Sequence, residues 1–492
     1  MSKRYNNGCP AAFSRAELHF NSRMVANHVA LDRYRPTAED PFDAVKAAHL
    51  LNRAAFGGTP DEIEKVQKLG PIDAVEWLLD FPDKSAEEQS PADVPNLNAI
   101  DGLPANFREF RRQLTGKSRE ERQALQKKFQ MANRDAMMTT WEWWMKRMAG
   151  GPHPLQEKLA LFWHGHFTTS FREERSALLI WEQNELLRKM SAGNFGSFVH
   201  AISRDPAMLD YLNNAQNRKG HPNENYAREL MELFTLGIGN YTENDIKEGA
   251  RAFTGWMHDG NEFLFNRRQH DEGEKTFLGK TGNFDGDEVI DIILAQPACP
   301  RFIAAELFAY FVYPDPDQEL ISALGSVFRE GRLELRPLLK AILTSRAFYS
   351  PQSIGVQIKS PVQLVIGTIR MLGIEPPQWR MLFGPMQLMG QVPFMPPNVK
   401  GWPGGHAWIN ASTMFARYNT AARLATMKGS LGDIPSEPQR AVDTLLARLI
   451  QRPVEADQKQ VLVAAMNETG GKQDPVRHVV QLIVSMPEYQ LC

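Results

Sequence analysis

Ligand-type and aromatic side chains crowd into four short stretches of this chain. The first is Leu161-Phe162-Trp163-His164-Gly165-His166-Phe167. Two histidines one residue apart share a side of an extended segment but lie about 200° apart on a helix. Gly165 between them and Thr168-Thr169-Ser170 after them predict that a helix ends here, where both imidazoles could turn toward one ion. Neutral imidazole is a good ligand for Zn, Fe, Mn or Cu. The competing reading has one or both rings capping the helix end or hydrogen-bonding inside an aromatic core.

The second stretch runs from Asn223 to Gly237. Read as a helix, Tyr226, Leu230, Leu233 and Phe234 make one apolar stripe. Asn225, Glu229 and Glu232 follow at i, i+4 and i+7 on another face, beside Arg228. Two carboxylates three residues apart could hold a metal or share a proton; they could equally form a solvated face with Glu224–Arg228 and Arg228–Glu232 ion pairs. Gly237 is the expected helix stop.

The third stretch is His270-Asp271 with Lys275-Thr276-Phe277-Leu278-Gly279. An adjacent His and Asp can supply a ligand, or a base with its orienting carboxylate; the same residues also make a simple turn. The fourth is the run from Pro396 to Asn410, which is stiff at its prolines and open to close backbone approach at its glycines. Trp402 and Trp408 could stack on a sugar or an aromatic group, or plug the helical core. No P-loop, no dinucleotide-type glycine run, no G-x-S-x-G, no H-E-x-x-H and no paired C-x-x-C is present. ATP-dependent chemistry, the common hydrolase motifs and a nucleotide cofactor are therefore not expected.

The elements that must carry these stretches read almost entirely as helix. Residues 1–40 are polar and read as an extended N-terminal arm. From Pro41 the pattern gives helix, turn, helix, with Gly57-Gly58 stopping one and Thr59-Pro60 starting the next. Residues 82–105 read as a loop, and 106–150 as a long charged helix or helix pair, whose basic segment from Arg108 to Lys128 is most simply a solvated face. Residues 154–256 read as compact helices. The helical period breaks at 257–284, where short alternating runs predict a small hairpin. Helices return at 286–350 and 357–373, and the last 80 or so residues read as terminal helices. The expected fold is mainly α: a large multi-helix domain over 41–425 with a small β-hairpin insertion, and C-terminal helices over 426–492 packed on it. No βαβ alternation and no repeat is visible.

Composition bounds the partners. The chain has 492 residues and a formal net charge of −2. That balance argues against a nucleic-acid binder. Cys9, Cys299 and Cys492 are too few and too scattered for a disulfide framework. No apolar run reaches the roughly 20 residues of a spanning helix, so no membrane span is expected. The N-terminal residues hold no apolar core of a secretory signal, which reads as cytoplasmic.

Several segments resemble the bacterial family catalogued as domain of unknown function 1800. They are HLLNRAAFGGTP at 49–60, KLALFWHGHFTTS at 158–170, RDPAMLDYLNN at 204–214, the long run at 223–256, HDEGEKTFLG at 270–279 and PPNVKGWPGG at 396–405. The resemblance covers about residues 45–425. It implies a large, mainly helical protein, often encoded beside a sulfatase- or phosphatase-like companion and often exported. Near residue 210 the family pattern reads Leu-Asp-Asn, and Asn213 stands here in the Asp place.

Two readings of function follow. In the first, the chain is a metal-dependent enzyme, oxidative or hydrolytic, with a His/Glu site between helices. His164, His166, Glu229 and His270 would hold a divalent Fe, Mn or Zn ion; Glu232, Arg228 and Asp271 would be catalytic; Lys275, Trp402, Trp408 and Asn225 would bind substrate. In the second, the chain is a non-catalytic binding or assembly protein for a companion protein or a polysaccharide, and the same residues are caps, ion pairs and core.

Overall fold

The structure is a computed structural model that describes residues 28–104, 107–450, 452–467 and 474–492. Residues 1–27 of the expected arm, Cys9 among them, lie outside the described residues. The described end of that arm is tied down: Tyr34 N–H donates to Thr344 O, Arg346 N–H to Asp32 O and Ala347 N–H to Ala30 O. Leu31 and Tyr34 are buried there.

The protein is mainly α. Twenty-two α-helices among the described residues are accompanied by only two small antiparallel hairpins. The insertion expected at 257–284 is a pair of hairpins rather than one. Strand β1 (Trp256–His258) pairs with β2 (Phe263–Phe265), and β3 (Lys275–Phe277) with β4 (Lys280–Gly282). The charged stretch at 106–150 is a helix pair, Phe107–Leu114 and Arg119–Gly150.

Helix boundaries follow local chemistry. Thr59 and Glu62 form a reciprocal cap at the start of Pro60–Leu79. The helix before it, Ala44–Ala55, ends as Phe56 and Gly57 both turn to positive φ. The terminal helices Pro438–Leu449 and Pro475–Val484 each begin with a proline whose missing N–H would be unpaired anyway.

Buried apolar side chains form two clusters. One is built from residues between Leu31 and Tyr349. The other joins the helix Arg119–Gly150 to Pro361–Met371, Ala411–Ala425 and the terminal helices. The helix Pro154–His166 belongs to both. Its Leu155, Leu159, Phe162 and Trp163 enter the first cluster, and its Ala160 and Leu161 enter the second. A buried charge network pins its start: Glu157 accepts from Arg188 at 2.9 Å and from Arg147 and Trp144 Nε1. No single helix among the described residues is long and apolar enough to cross a membrane.

Candidate functional site

The helix Pro154–His166 presents Lys158, Leu161, Phe162, Gly165 and His166 along one stripe, at i, i+3, i+4, i+7 and i+8. That stripe forms one wall of a cavity of about 810 Å³. Glu232 and Leu233 come from the second stretch, and Phe302, Glu306 and Tyr310 from the helix Ala298–Phe311. Gln363 and Gln391 close the inner side, and Lys400, Trp402, His406 and Trp408 come from the Pro/Gly/Trp loop. Three of the four stretches thus meet on one cavity, although they are up to about 240 residues apart.

The helix ends after His166, where the Phe167 N–H still reaches Trp163 O. The two histidines keep the divergent directions of a helix and do different jobs. His164 is buried, and its Nε2 accepts the Phe394 N–H at 2.9 Å. Its proton must then sit on Nδ1 in the neutral ring. Trp144, Phe394 and Trp402 surround it, with ring centroids 5.4–5.7 Å away. Burial pulls its pKa down to about 3, so it is neutral. His164 therefore fixes the start of the tryptophan loop.

His166 has the opposite tautomer. Its Nε2 lies 3.0 Å from Phe234 O, so that nitrogen carries the proton and donates it. Nδ1 is left with a free lone pair on a ring that lines the cavity. Burial lowers its pKa to about 4, against the pull of the Phe234 carbonyl. The acceptor belongs to an irregular turn: Leu230–Thr235 is a π-helix that follows the short α-helix Asn225–Glu229. Such insertions are frequent at functional sites. Here the wide turn aims the Phe234 carbonyl at His166 and leaves Glu232 on the cavity wall.

Glu232 Oε2 accepts from Tyr241 Oη at 2.7 Å. Glu229 is near but does not line the cavity. Burial raises its pKa, with Glu232 adding to the rise and Lys400 opposing it. Glu306 opens onto the cavity and keeps solvent exposure, and the neighbouring walls raise its pKa. Gly237 ends the π turn at φ +78°, and a Cβ there would meet the Phe302 ring at 3.0 Å.

The tryptophan loop docks on the histidine helix through glycine. Gly401 has φ +74°, and a Cβ on it would lie 2.3 Å from Gly165 O. The Gly165 Cβ position lies 3.7 Å from the Trp402 ring. Trp408 is buried, whereas Trp402 is half-buried and faces the cavity.

The remaining candidates sit elsewhere. Arg228 pairs with Glu243 at 2.9 and 3.0 Å and with Glu224 at 3.4 Å, on a partly exposed face. Its expected partner Glu232 is turned to Tyr241 instead. Asn225 Nδ2 donates to Leu212 O at 3.3 Å, and its N–H is capped by Asn223 Oδ1. In the third stretch, His270 Nδ1 donates to Thr254 O at 2.9 Å. Asp271 binds Arg251 Nε at 2.9 Å and the Gly273 N–H at 2.9 Å. The Arg251 guanidinium, first among its influences, holds the Asp271 pKa down to about 2. Lys275 Nζ is buried and donates to the backbone carbonyls of Asp271 and Gly273. These contacts brace the two hairpins, and none of Arg228, Asn225, His270, Asp271 or Lys275 lines the cavity. Asn213 is exposed at φ +58°, a left-handed turn position that suits Asn and Asp alike.

Among the described residues, no group of three or more His, Cys, Asp or Glu side chains is placed to hold one metal ion. Sequence reasoning passed over Lys158, Glu306, Gln363, Gln391 and His406. Lys158 was open to detection, because it lies one and two helical turns before Phe162 and His166. Glu306, Gln363 and Gln391 come from segments with no motif of their own.

The family model for the protein family of unknown function DUF1800 matches residues 49–491. The chain belongs to this family. The match takes in all of the cavity walls except Cys492, the last residue. No curated protein and no solved structure matches this DUF1800 chain.

Proposed function

We propose that this DUF1800 protein is an enzyme that acts on a small organic molecule held between the histidine helix and the tryptophan loop. The observation that carries the reading is the convergence of His166, Glu232 and Trp402 on one cavity. Its volume of about 810 Å³ falls in the range of small-molecule sites. Phe162, Phe302, Tyr310 and Trp402 offer flat apolar surface, and Glu232, Glu306, Lys158 and Lys400 offer charge. His166 Nδ1 is the acceptor available for a proton from the ligand. With its pKa well below neutrality it is a weak base but always in the accepting form.

The test is a thermal-shift screen of small carboxylates, sugars and aromatic alcohols against the native chain and Trp402→Ala. Ligands that raise the melting temperature of the native chain and not of the variant support the reading. Equal shifts in both, or none across the library, would remove it.

A metal-dependent form of this reading is supported by one feature. A histidine that donates its far N–H to a backbone carbonyl, as His166 does to Phe234, is oriented as metal-ligating histidines are. The metal would take His166 Nδ1 with Glu232 or Glu306, and His164 would not ligate through Nε2. Elemental analysis of the full chain tests it: near-stoichiometric iron, manganese or zinc that survives His164→Gln and is lost in His166→Ala supports it, and absence of metal after reconstitution sinks it.

A further inference from the structure

Lys158 is unlike a surface lysine. It lines the inner wall of the cavity and is only 7% exposed. Its Nζ donates to a neutral acceptor, Gln363 Oε1. The rings of Phe56 and Tyr310 lie 4.7 and 5.5 Å from the nitrogen. Among the described residues no carboxylate side chain forms an ion pair with it. The charged groups that act on it are the Arg53 cation, from the helix Ala44–Ala55, and an anionic group at Cys492. Burial is the main influence, aided by Arg53 and opposed by Cys492, and it brings the pKa down to about 7. An ammonium taken out of water beside another cation, with no side-chain carboxylate at ion-pair distance among the described residues, gives up its proton readily even though the anionic group at Cys492 and the aromatic faces work against this.

We propose that Lys158 is a carbonyl-reactive amine, and that the cavity takes an aldehyde or ketone which it binds as a Schiff base. The inference rests on the reading of the cavity as a small-molecule site and names its substrate class. The neutral Nζ adds its lone pair to the carbonyl carbon, and the carbonyl oxygen takes up the proton that nitrogen gives away. The carbinolamine then loses its hydroxyl as water with a second proton, and a carbon–nitrogen double bond remains. No oxidant or reductant is consumed. Glu306, one helical turn before Tyr310 on the cavity wall, is the carboxyl group that gives that second proton, because Glu232 already accepts from Tyr241. Gln363 holds the amine in place through its side-chain oxygen, and its own Nε2 is anchored on Asn52 O at 3.0 Å.

The experiment is reductive trapping on the full-length chain. Propanal and sodium cyanoborohydride are added at a series of pH values, and the modified lysines are mapped by peptide mass spectrometry. Lys158 is expected to be alkylated ahead of the surface lysines at pH 7, with a midpoint near 7, whereas ordinary lysines follow a midpoint of about 10.4. The preference should vanish when the chain is unfolded in urea. Surface lysines that react first, or a Lys158 that follows the ordinary pH curve, would overturn the proposal. Failure here is separable from failure of the cavity reading. Trp402-dependent thermal shifts with an unlabelled Lys158 would leave a binding site without amine chemistry. Preferential labelling without such shifts would support the amine and remove the wider ligand reading.

Discussion

His164 and His166 sit two positions apart, yet one holds the loop and the other faces the ligand space. The difference is set by what each Nε2 meets: a backbone donor at Phe394 and a backbone acceptor at Phe234. His164→Ala leaves the Phe394 N–H buried without a partner, which costs about 1–3 kcal/mol. The urea midpoint should fall accordingly. His166→Gln can still donate to Phe234 O through its amide, so the midpoint should stay near that of the native chain while Trp402-dependent ligand shifts are lost. Both rings also make stability depend on acid. Their folded pKa values, about 3 and about 4, lie below the unfolded value near 6.5. The unfolded chain therefore takes up protons first as pH falls. The contribution is whole above pH 6.5 and is lost progressively as the pH drops toward 4 and 3. Denaturation curves at pH 7, 5.5 and 4.5 should show the loss, and His166→Gln should reduce its slope. The residue types at these positions were legible in the sequence, but their division of labour was not. It depends on two backbone groups, at 234 and 394, that lie far away along the chain.

At the scale of elements, the tryptophan loop and the π turn decide what the histidine helix can use. Helix 154–166 and its end were readable from the Gly and Thr/Ser pattern, and so was the stop at Gly237. The π-helix at 230–235 was not, because it follows from tertiary packing. A regular helix would place Glu229 and Glu232 on one face. The wide turn gives Glu232 to Tyr241 and the cavity, while Glu229 stays off the cavity wall and still feels the Glu232 charge more strongly than that of Lys400. Gly401 is the point at which the loop backbone meets Gly165. A left-handed backbone costs a residue with a side chain about 1–3 kcal/mol, before any clash. In Gly401→Ala the new methyl would also overlap Gly165 O, so the loop must lift. The variant should melt lower, and Trp402 fluorescence should move to the red as the ring gains solvent. The hairpin brace gives the contrasting case. Asp271→Asn weakens the Arg251 contact at the two hairpins. It should lower the melting temperature while leaving thermal shifts with cavity ligands unchanged, because Asp271 does not line the cavity.

Across the whole molecule, the cavity lies where the two apolar clusters meet, and the inner side of that seam is cationic. Lys158, Lys359, Arg53 and Arg417 are all buried, no carboxylate side chain among the described residues pairs with any of them, and the one anionic influence they share is a group at Cys492. Lys359 Nζ donates to Tyr489 O at 2.7 Å and lies 3.8 Å from that tyrosine ring. Arg417 donates to Gln490 Oε1 and Lys359 O, and Arg53 to Val312 O and Ser353 O. The carbonyls take some of these donors, Arg53 Nε and Nη1 and Arg417 Nη1 are left without a partner among the described residues, and the anionic group at Cys492 offsets part of the charge; burial still dominates and brings both lysines to about 7. A helical bundle of this size can support such a defect because the surrounding core is large. The sign of the pH effect follows directly. As pH falls from about 10, the unfolded chain protonates these lysines before the folded chain does. Stability therefore declines as the pH falls from about 10 to about 7 and, for these two groups, is level below that. Deprotonation of tyrosines in the unfolded chain opposes the gain near pH 10, because burial raises the pKa of Tyr310 and Tyr489 in the fold. The clean window is thus pH 7 to 9. Urea midpoints of the native chain should rise across it, and Lys359→Met should be more stable than the native chain at pH 7 with a shallower rise to pH 9. A variant that loses stability at pH 7 and keeps the native slope would show that the anionic group at Cys492 outweighs the burial of the Lys359 ammonium.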